Sequence, residues 1–427
     1  MSDEELNKNA ASERLDPPAP PEPEQTPDNV IQLPEDPAIR ALRRKRRRRI
    51  LILAVLALVL IAVLLFVLLP DVFDLDAIRR YFYYMGKRDR DGYGTVAFEA
   101  AGTNDYAPLG DGFAVGTEGG LYYYDLDGEQ QTMVLATVAG PRLASNENMA
   151  LLYTMNSSYL SVINEKGEKL MDQTLGGMLL DVDLSDDGYI CYNLTEDGYK
   201  TVTTVLGQKL TPIYRFRSST QYLNACTVSK GGQYLAVAGL TEEGSSFTST
   251  LTVLKTDEEI IAGTDQSQSA KRRISLGNEV VYELAFLSGS RLCVITQDAL
   301  RITDTECNLI KEYKFETEYL RGYAVSEDGF VALLLGSSMT GDRYVLQTVD
   351  KNGEILGQIE LDRTVRSLDV SGSYVGVLTD GELLVYRSRL QQPYYTTDQV
   401  GAAIRVCMRG DGTAMLVSNS EASLYIP

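Results

Sequence analysis

The sequence predicts an all-β, eight-bladed β-propeller outside a membrane, preceded by one transmembrane helix and a disordered N-terminal tail. Three observations carry that prediction. Ile50 to Leu69 are twenty consecutive apolar residues, a polar turn followed by an apolar strand recurs eight times from Gly110 to Gly412, and no long amphipathic helix interrupts the strands after residue 94.

The tail, residues 1–39, holds eight of the fourteen prolines, Pro17, Pro18, Pro20, Pro21 and Pro23 among them, with ten acidic and two basic residues. Such a segment buries too little apolar surface to offset the entropy of ordering, so disorder with some polyproline II is expected. Its TPDN and PPAPPEPE stretches either dock a cytoplasmic partner or only space the charged run that follows.

Residues 40–49 carry eight cations: Arg40, Arg43, Arg44, Lys45 and Arg46 to Arg49. Residues 50–69 form the apolar run, which as a helix crosses roughly 30 Å of hydrocarbon. Asp71, Asp74 and Asp76 follow it, so the positive-inside bias keeps the N-terminus cytoplasmic and puts the chain after Pro70 outside. A secretory signal has an apolar core of about 7–15 residues and a small-residue cleavage step. Neither fits here. The expectation is a single-pass cell-membrane protein that touches lipid through 50–69 and exposes its C-terminal domain at the cell surface.

Residues 70–93 read as a short helix that Asp76 can cap and Gly86 can stop. It is either an interfacial stalk with its aromatics at the headgroups or a helix packed under the propeller.

The tail's −8 and the basic run's +8 cancel, leaving the whole −19 on the outer part. That charge argues against nucleic acid and against the domain lying flat on anionic lipid. The chain has no histidine, which removes Ser-His-Asp and Cys-His catalysis, HExxH zinc sites and histidine pH switches together. It also has no tryptophan. Cys191, Cys226, Cys293, Cys307 and Cys407 are 35, 67, 14 and 100 residues apart, matching neither a metal site nor a compact disulfide framework. Buried thiols are expected; a Cys293–Cys307 bridge is the geometric alternative.

Residues 94–427 hold the repeat. Its first turn occurs at Gly110-Asp111-Gly112, Ser145 to Asn148, Ser185 to Gly188, Ser229 to Gly232, Ser288 to Ser290, Ser326 to Gly329, Ser371 to Ser373 and Arg409 to Gly412. The spacings are 35, 40, 44, 59, 38, 45 and 38 residues, against roughly 40–45 for a four-stranded blade. The 59-residue interval marks an insertion, placed at Thr241 to Ser246 and at Asp265 to Lys271 as polar loop. A second turn, Asp or Asn followed by Gly-Glu, ends the third strand at 122–130, 161–169 and 346–355. In 300–309 Cys307 replaces the glycine, so a different turn is expected there.

The Ser-x-Asp-Gly-apolar segments resemble the repeats of WD40-like, TolB-type and YVTN propellers, and Asp-x-x-Gly-Glu resembles the quinoprotein repeat. The missing tryptophan departs from the quinoprotein pattern, so no cofactor is implied. The layout of tail, basic run, span and propeller is similar to a family of membrane-anchored clostridial proteins with no assigned activity.

From Ala402 onward only three strands remain, one before and two after the eighth turn, so Thr95 to Ala100 is expected to supply the fourth and close the ring. Seven blades is the alternative if one weak repeat is a loop. Counting five residues back from each turn places Asp105, Asn224, Glu283, Arg321 and Arg366 at equivalent channel positions, with Arg405 joining if its turn is one shorter. Arg321, Arg366 and Arg405 then form a cationic arc facing Glu283 and Asn224, either a trap for an anionic ligand or a plug paired with acidic neighbours. Asp181, Asp183, Asp186 and Asp187 suggest calcium, but Ser185 and Asp186 break the calcium-loop pattern and no metal is expected. No catalytic residue stands out. The reading is a non-enzymatic binding or scaffolding protein for an envelope protein or surface ligand. Alternatives are a carbohydrate-active enzyme using Asp/Glu pairs and an assembly factor for exported proteins.

Overall fold

The computed structural model describes residues 48–58, 75–88, 92–98, 102–258, 270–316 and 318–427. The tail 1–39, most of the basic run and residues 59–69 of the expected span lie outside the described residues. Residues 48–58 form a helix, α1, and no helix among the described residues is long and apolar enough to cross a membrane. Helix α2 spans Leu75–Tyr84. Among the described residues thirty-two strands, β1 to β32, follow it in eight separate four-stranded antiparallel sheets.

Each sheet is one blade, and the first strand of each lines the ring. These inner strands are β2 (Asp105–Leu109), β6 (Pro141–Ser145), β10 (Leu179–Leu184), β14 (Tyr222–Val228), β18 (Val281–Ser288), β22 (Tyr319–Ser326), β26 (Val365–Ser371) and β30 (Arg405–Met408), heading blades 1 to 8. Each packs beside the next, and β30 returns to β2. The ring closes with a strand from the other end of the domain. β1 (Thr95–Ala97) pairs with β32 (Glu421–Tyr425) through Thr95↔Ser423, Val96↔Ala422 and Ala97↔Glu421. Closure leaves blade 8 complete and no ring edge unpaired inside the fold.

The apolar residues sort by interface, because a strand buried on both faces must pack against two neighbours. Eight clusters fill the eight gaps between blades. Leu109, Leu121 and Val134 of blade 1 meet Leu152 and Ile163 of blade 2 in one. Tyr106, Phe113 and Val115 meet Val96, Met415 and Ala422 in the cluster that closes the ring. Cys293 lies in the core between blades 5 and 6 and Cys307 in that between blades 4 and 5, so the two are not bridged; all five cysteines are buried thiols.

All eight expected turns fall at the first hairpin of a blade. The third-strand turn is more widespread than its glycine signature. Gly128, Gly167, Leu210, Cys307, Gly353 and Leu390 all take positive φ, and each donates its N–H to the carbonyl three residues back. At 300–309 the turn is therefore the same type as in the glycine repeats, not a different one. Asp304 Oδ1 accepts from the N–H of Glu306 and Asn308, as Asp350 Oδ1 accepts from Asn352 and Glu354. The aspartate brace holds the geometry at Cys307 against a left-handed cost of about 1–2 kcal/mol.

The insertion in blade 4 also differs from expectation. Thr241 to Ser246 is not loop: β15 (Tyr234–Glu243) and β16 (Ser246–Lys255) extend their pairing to Glu243↔Ser246 around Gly244 at φ +67. Hydrogen bonding along a hairpin continues past the sheet wherever the partner strand continues, even through polar residues. Residues 259–269 lie outside the described part.

Alternation of strand direction gives the ring two faces. The turn face carries the first hairpin turn of every blade and the third hairpin turns of blades 1 to 3 and 5 to 7. The entry face carries the second hairpin turns and the chain's passages from one blade to the next.

Candidate functional site

On the entry face the inner strands begin with a recurrent irregularity. In blades 3 to 7 one residue of the first strand has no partner on the second: Leu180, Asn224, Tyr282, Arg321 and Arg366. Such a bulge bends the strand and re-aims the side chain it carries. Three of the expected site residues, Asn224, Arg321 and Arg366, are thus bulge residues at one end of the channel. Arg405 and Asp105 head their strands at the same end. Glu283 is one step out of phase. Tyr282 occupies the bulge in blade 5, and Glu283 matches Asp181, Ala225, Gly322 and Ser367, because a second irregularity at Phe286/Ser288 shifts the count from the turn.

The arginines share a mouth, and each is engaged within the chain. Arg405 Nη1 pairs with Asp105. Arg366 Nε donates to Asp380 Oδ1 at 2.6 Å and its Nη1 to Ala403 O at 3.0 Å. Arg321 donates to Ser338 O at 3.0 Å and stacks 5.6 Å from the Tyr344 ring centroid, and among the described residues its charge has no carboxylate partner. Asn224 Nδ2 donates to Val281 O of the next blade.

Deeper in the channel stand Asp181, Asp183 and Asp369, carboxylates the count did not reach, and they share one role with Asp105 at the mouth. Asp181 accepts from Cys226 N–H at 2.7 Å, Asp183 from Val228 N–H at 3.3 Å, Asp369 from Met408 N–H at 2.7 Å and Asp105 from Leu143 N–H at 2.7 Å. Each clips its own inner strand to that of the following blade, satisfying an amide that the four-stranded sheet leaves free. The acidic run that suggested calcium does this work. Asp187 accepts from Ser185 Oγ and Gly231 N–H, and no group of three or more metal-ligating side chains occurs among the described residues. Enclosure by the ring pushes Asp183 and Asp369 up to about 6 and Asp181 up to about 7. Glu283 rises to about 8, first through burial and then through Asp183 and Asp181; its hydroxyl partner is Tyr323, at 3.5 Å.

A family described as being of unknown function, DUF5711, matches residues 91–422. The chain belongs to this family. The match covers the ring from before β1 into β32, so the closing strand is part of what defines it. No curated protein matches the chain. Among solved structures it is similar to the C-terminal WD40 domain of Sif2 at 14% identity, covering 79% of this chain and 100% of that one with a TM-score of 0.53. It is also similar to the Dos1 propeller at 13% identity, covering 78% and 96% with a TM-score of 0.52. At that identity the likeness shows the propeller fold alone.

What sequence reasoning missed is the apolar rim of this mouth. Met155, Met178, Tyr222, Tyr282, Tyr319 and Met339 are 38–65% exposed and fall in second-hairpin turns, blade connections or inner-strand starts of blades 2 to 6, all on the entry face. A signal was present: Tyr222-Leu223-Asn224 and Tyr319-Leu320-Arg321 both place a tyrosine two residues before a bulge.

Proposed function

We propose that the chain is a single-pass, membrane-anchored protein whose extracytoplasmic propeller is a non-enzymatic scaffold that binds a protein partner at the entry-face mouth. The observation that carries this is the exposed arc of tyrosines and methionines beside the channel, with Arg321 at its edge. Aromatic, methionine and arginine side chains are the residues enriched at protein interfaces. Arg366 and Arg405 would meet an acidic group of the partner by exchanging Asp380 and Asp105 for it, while Asn224 and Glu283 supply the polar contacts.

The anchor reading is supported by composition and by the described part of the apolar run. Ile50, Leu51, Ile52, Leu53, Val55, Leu56 and Leu58 are 55–70% exposed, on every side of α1, as suits a helix solvated by lipid. The cations before it orient the N-terminus toward the cytoplasm.

The carboxylates favour binding over glycoside chemistry. A glycosidase needs two carboxyl groups flanking one bond. Asp181 and Asp183 instead hold backbone amides of the next blade.

The test is capture from the membrane. Solubilised full chain carrying Tyr222→Ala, Tyr282→Ala and Tyr319→Ala should lose proteins that copurify with the unaltered chain, whereas Ile355→Ala on the outer rim of blade 6 should retain them. Equal recovery from both variants would remove the mouth as the binding face.

A further inference from the structure

We propose that the outward stripe of α2 lies in the headgroup layer of the membrane, so that the propeller's turn face is held toward the bilayer and the entry-face mouth points away; this rests on the anchored reading above. Helix α2 is packed the opposite way round from an ordinary surface helix. Its polar face is inside. Arg80 and Tyr84 are only 4% and 3% exposed. Arg80 Nη2 donates to Tyr394 Oη at 2.5 Å and its Nη1 to Tyr374 Oη at 3.3 Å and to the Asp411 carbonyl. Tyr374 donates to Asp76 at 2.8 Å, and Tyr84 to Asp411 at 3.1 Å. These partners belong to the first-hairpin turn of blade 8 and the adjoining strands of blade 7, which places α2 on the turn face.

The apolar face is outside. Leu75, Ile78, Phe82 and Met85 follow one another at three, four and three residues, a single stripe, and are 56, 48, 66 and 62% exposed, with Tyr81 beside them at 67%. Arg79 and Arg88 are exposed at its flanks, and Lys87 lies 3.8 Å over the Tyr83 ring. Apolar stripe, tyrosines and cations together are the composition of a helix lying in a membrane interface.

The occupant follows from chain length. Only residues 70–74 separate the end of the apolar run from Leu75. Even fully extended they reach about 20 Å, and the headgroup region beyond the hydrocarbon is itself some 5–8 Å thick. A chain leaving the hydrocarbon at Leu69 therefore delivers α2 to the bilayer surface. The ring's acidity opposes contact between the ring itself and anionic lipid, and the stripe with its flanking arginines offers a contact at that face suited to it.

The chain has no tryptophan, so a single introduced one reports alone. The full chain is reconstituted in phosphatidylcholine–phosphatidylglycerol vesicles containing a lipid with a headgroup-level nitroxide, with Phe82→Trp, Ile78→Trp or, on the entry face, Met339→Trp. Emission from Phe82→Trp and Ile78→Trp should shift to the blue and lose most of its intensity to the nitroxide, while Met339→Trp emits as in water. Water-like emission from both α2 variants in chain that floats with the vesicles overturns the inference and leaves the anchor standing. So does a blue shift without quenching, which means a protein surface, such as a second copy, covers the stripe. Chain that does not float at all overturns the anchored reading, and this inference with it.

Discussion

The two faces of the ring are built differently. On the turn face, blade is stitched to blade: Asn146 Nδ2 donates to Ser185 O, Asp187 accepts from Gly231 N–H, Glu327 from Ser371 and Gly372, and Arg409 donates to Gly110 O and Gly112 O. Helix α2 adds Arg80 and Tyr84 to the same face. On the entry face the inner strands bulge, and Tyr222, Tyr282, Tyr319 and Met339 stand 46–65% exposed. Blades are also joined at the entry-face mouth, by Arg405–Asp105, Arg366 to Ala403 O and Asn224 to Val281 O, but the exposed tyrosine and methionine side chains there stand outside those bonds, where the proposed partner would meet them. Substitutions on the turn face should therefore cost stability, and substitutions on the entry face should cost binding.

The largest effect should come where the stitched side depends on closure. Val96, fully buried between Tyr106, Phe113 and Ala422, becomes an unpaired buried charge in Val96→Asp. The expected cost is about 3–5 kcal/mol, with association through the opened blade, read by thermal unfolding and light scattering. Unfolding at the unaltered temperature would mean that β1 does not close the ring.

Arg80→Ala comes next. It strips a buried donor from Tyr374, Tyr394 and Asp411, and about 2 kcal/mol of stability should go with it. The rim tyrosines should meanwhile keep their partner at temperatures where the ring remains folded.

The channel between the faces should show in pH. Asp181, Asp183, Asp369 and Glu283 have folded values raised above their unfolded ones, so the folded chain holds more protons than the unfolded chain between about pH 4 and 8. Stability is thus complete below the unfolded values and falls as pH rises through about 6 to 8. Glu283→Gln should flatten the upper part of that decline, leaving the variant the more stable of the two at pH 8. A stability that rises between pH 5 and 8 would contradict the burial of these carboxylates.

The smallest effect is expected at the rim. Tyr282→Ala, at an exposed bulge, should move stability by no more than about 0.5 kcal/mol while reducing partner capture. A large loss of stability there would erase the distinction between the faces.

The period of the repeat, the eight first turns and the orphan strand at Thr95 were legible in the sequence because turn chemistry is local. Gly and Asp or Ser at fixed offsets declare a hairpin wherever it occurs. The channel positions were legible only in part. Counting back from a turn assumes regular pairing, and the bulges at Asn224, Tyr282, Arg321 and Arg366 add a residue that only the partner strand reveals. That is how Glu283 slipped out of phase and the tyrosine arc went unseen. The same holds at Leu210, Cys307 and Leu390, whose left-handed turns carry no glycine to announce them.

By itself the sequence determined the composition zones, the unit of the repeat and its eight first turns, all set by residues close together in the chain. Tertiary structure decided which side of each element faces what. It turned the polar side of α2 inward, gave Asp181, Asp183 and Asp369 to the amides of neighbouring blades, and paired Arg405 with Asp105 across 300 residues of chain. Those outcomes depend on which free donors and acceptors the closed ring brings within about 3 Å of one another, a property of the ring that no local window of the sequence contains.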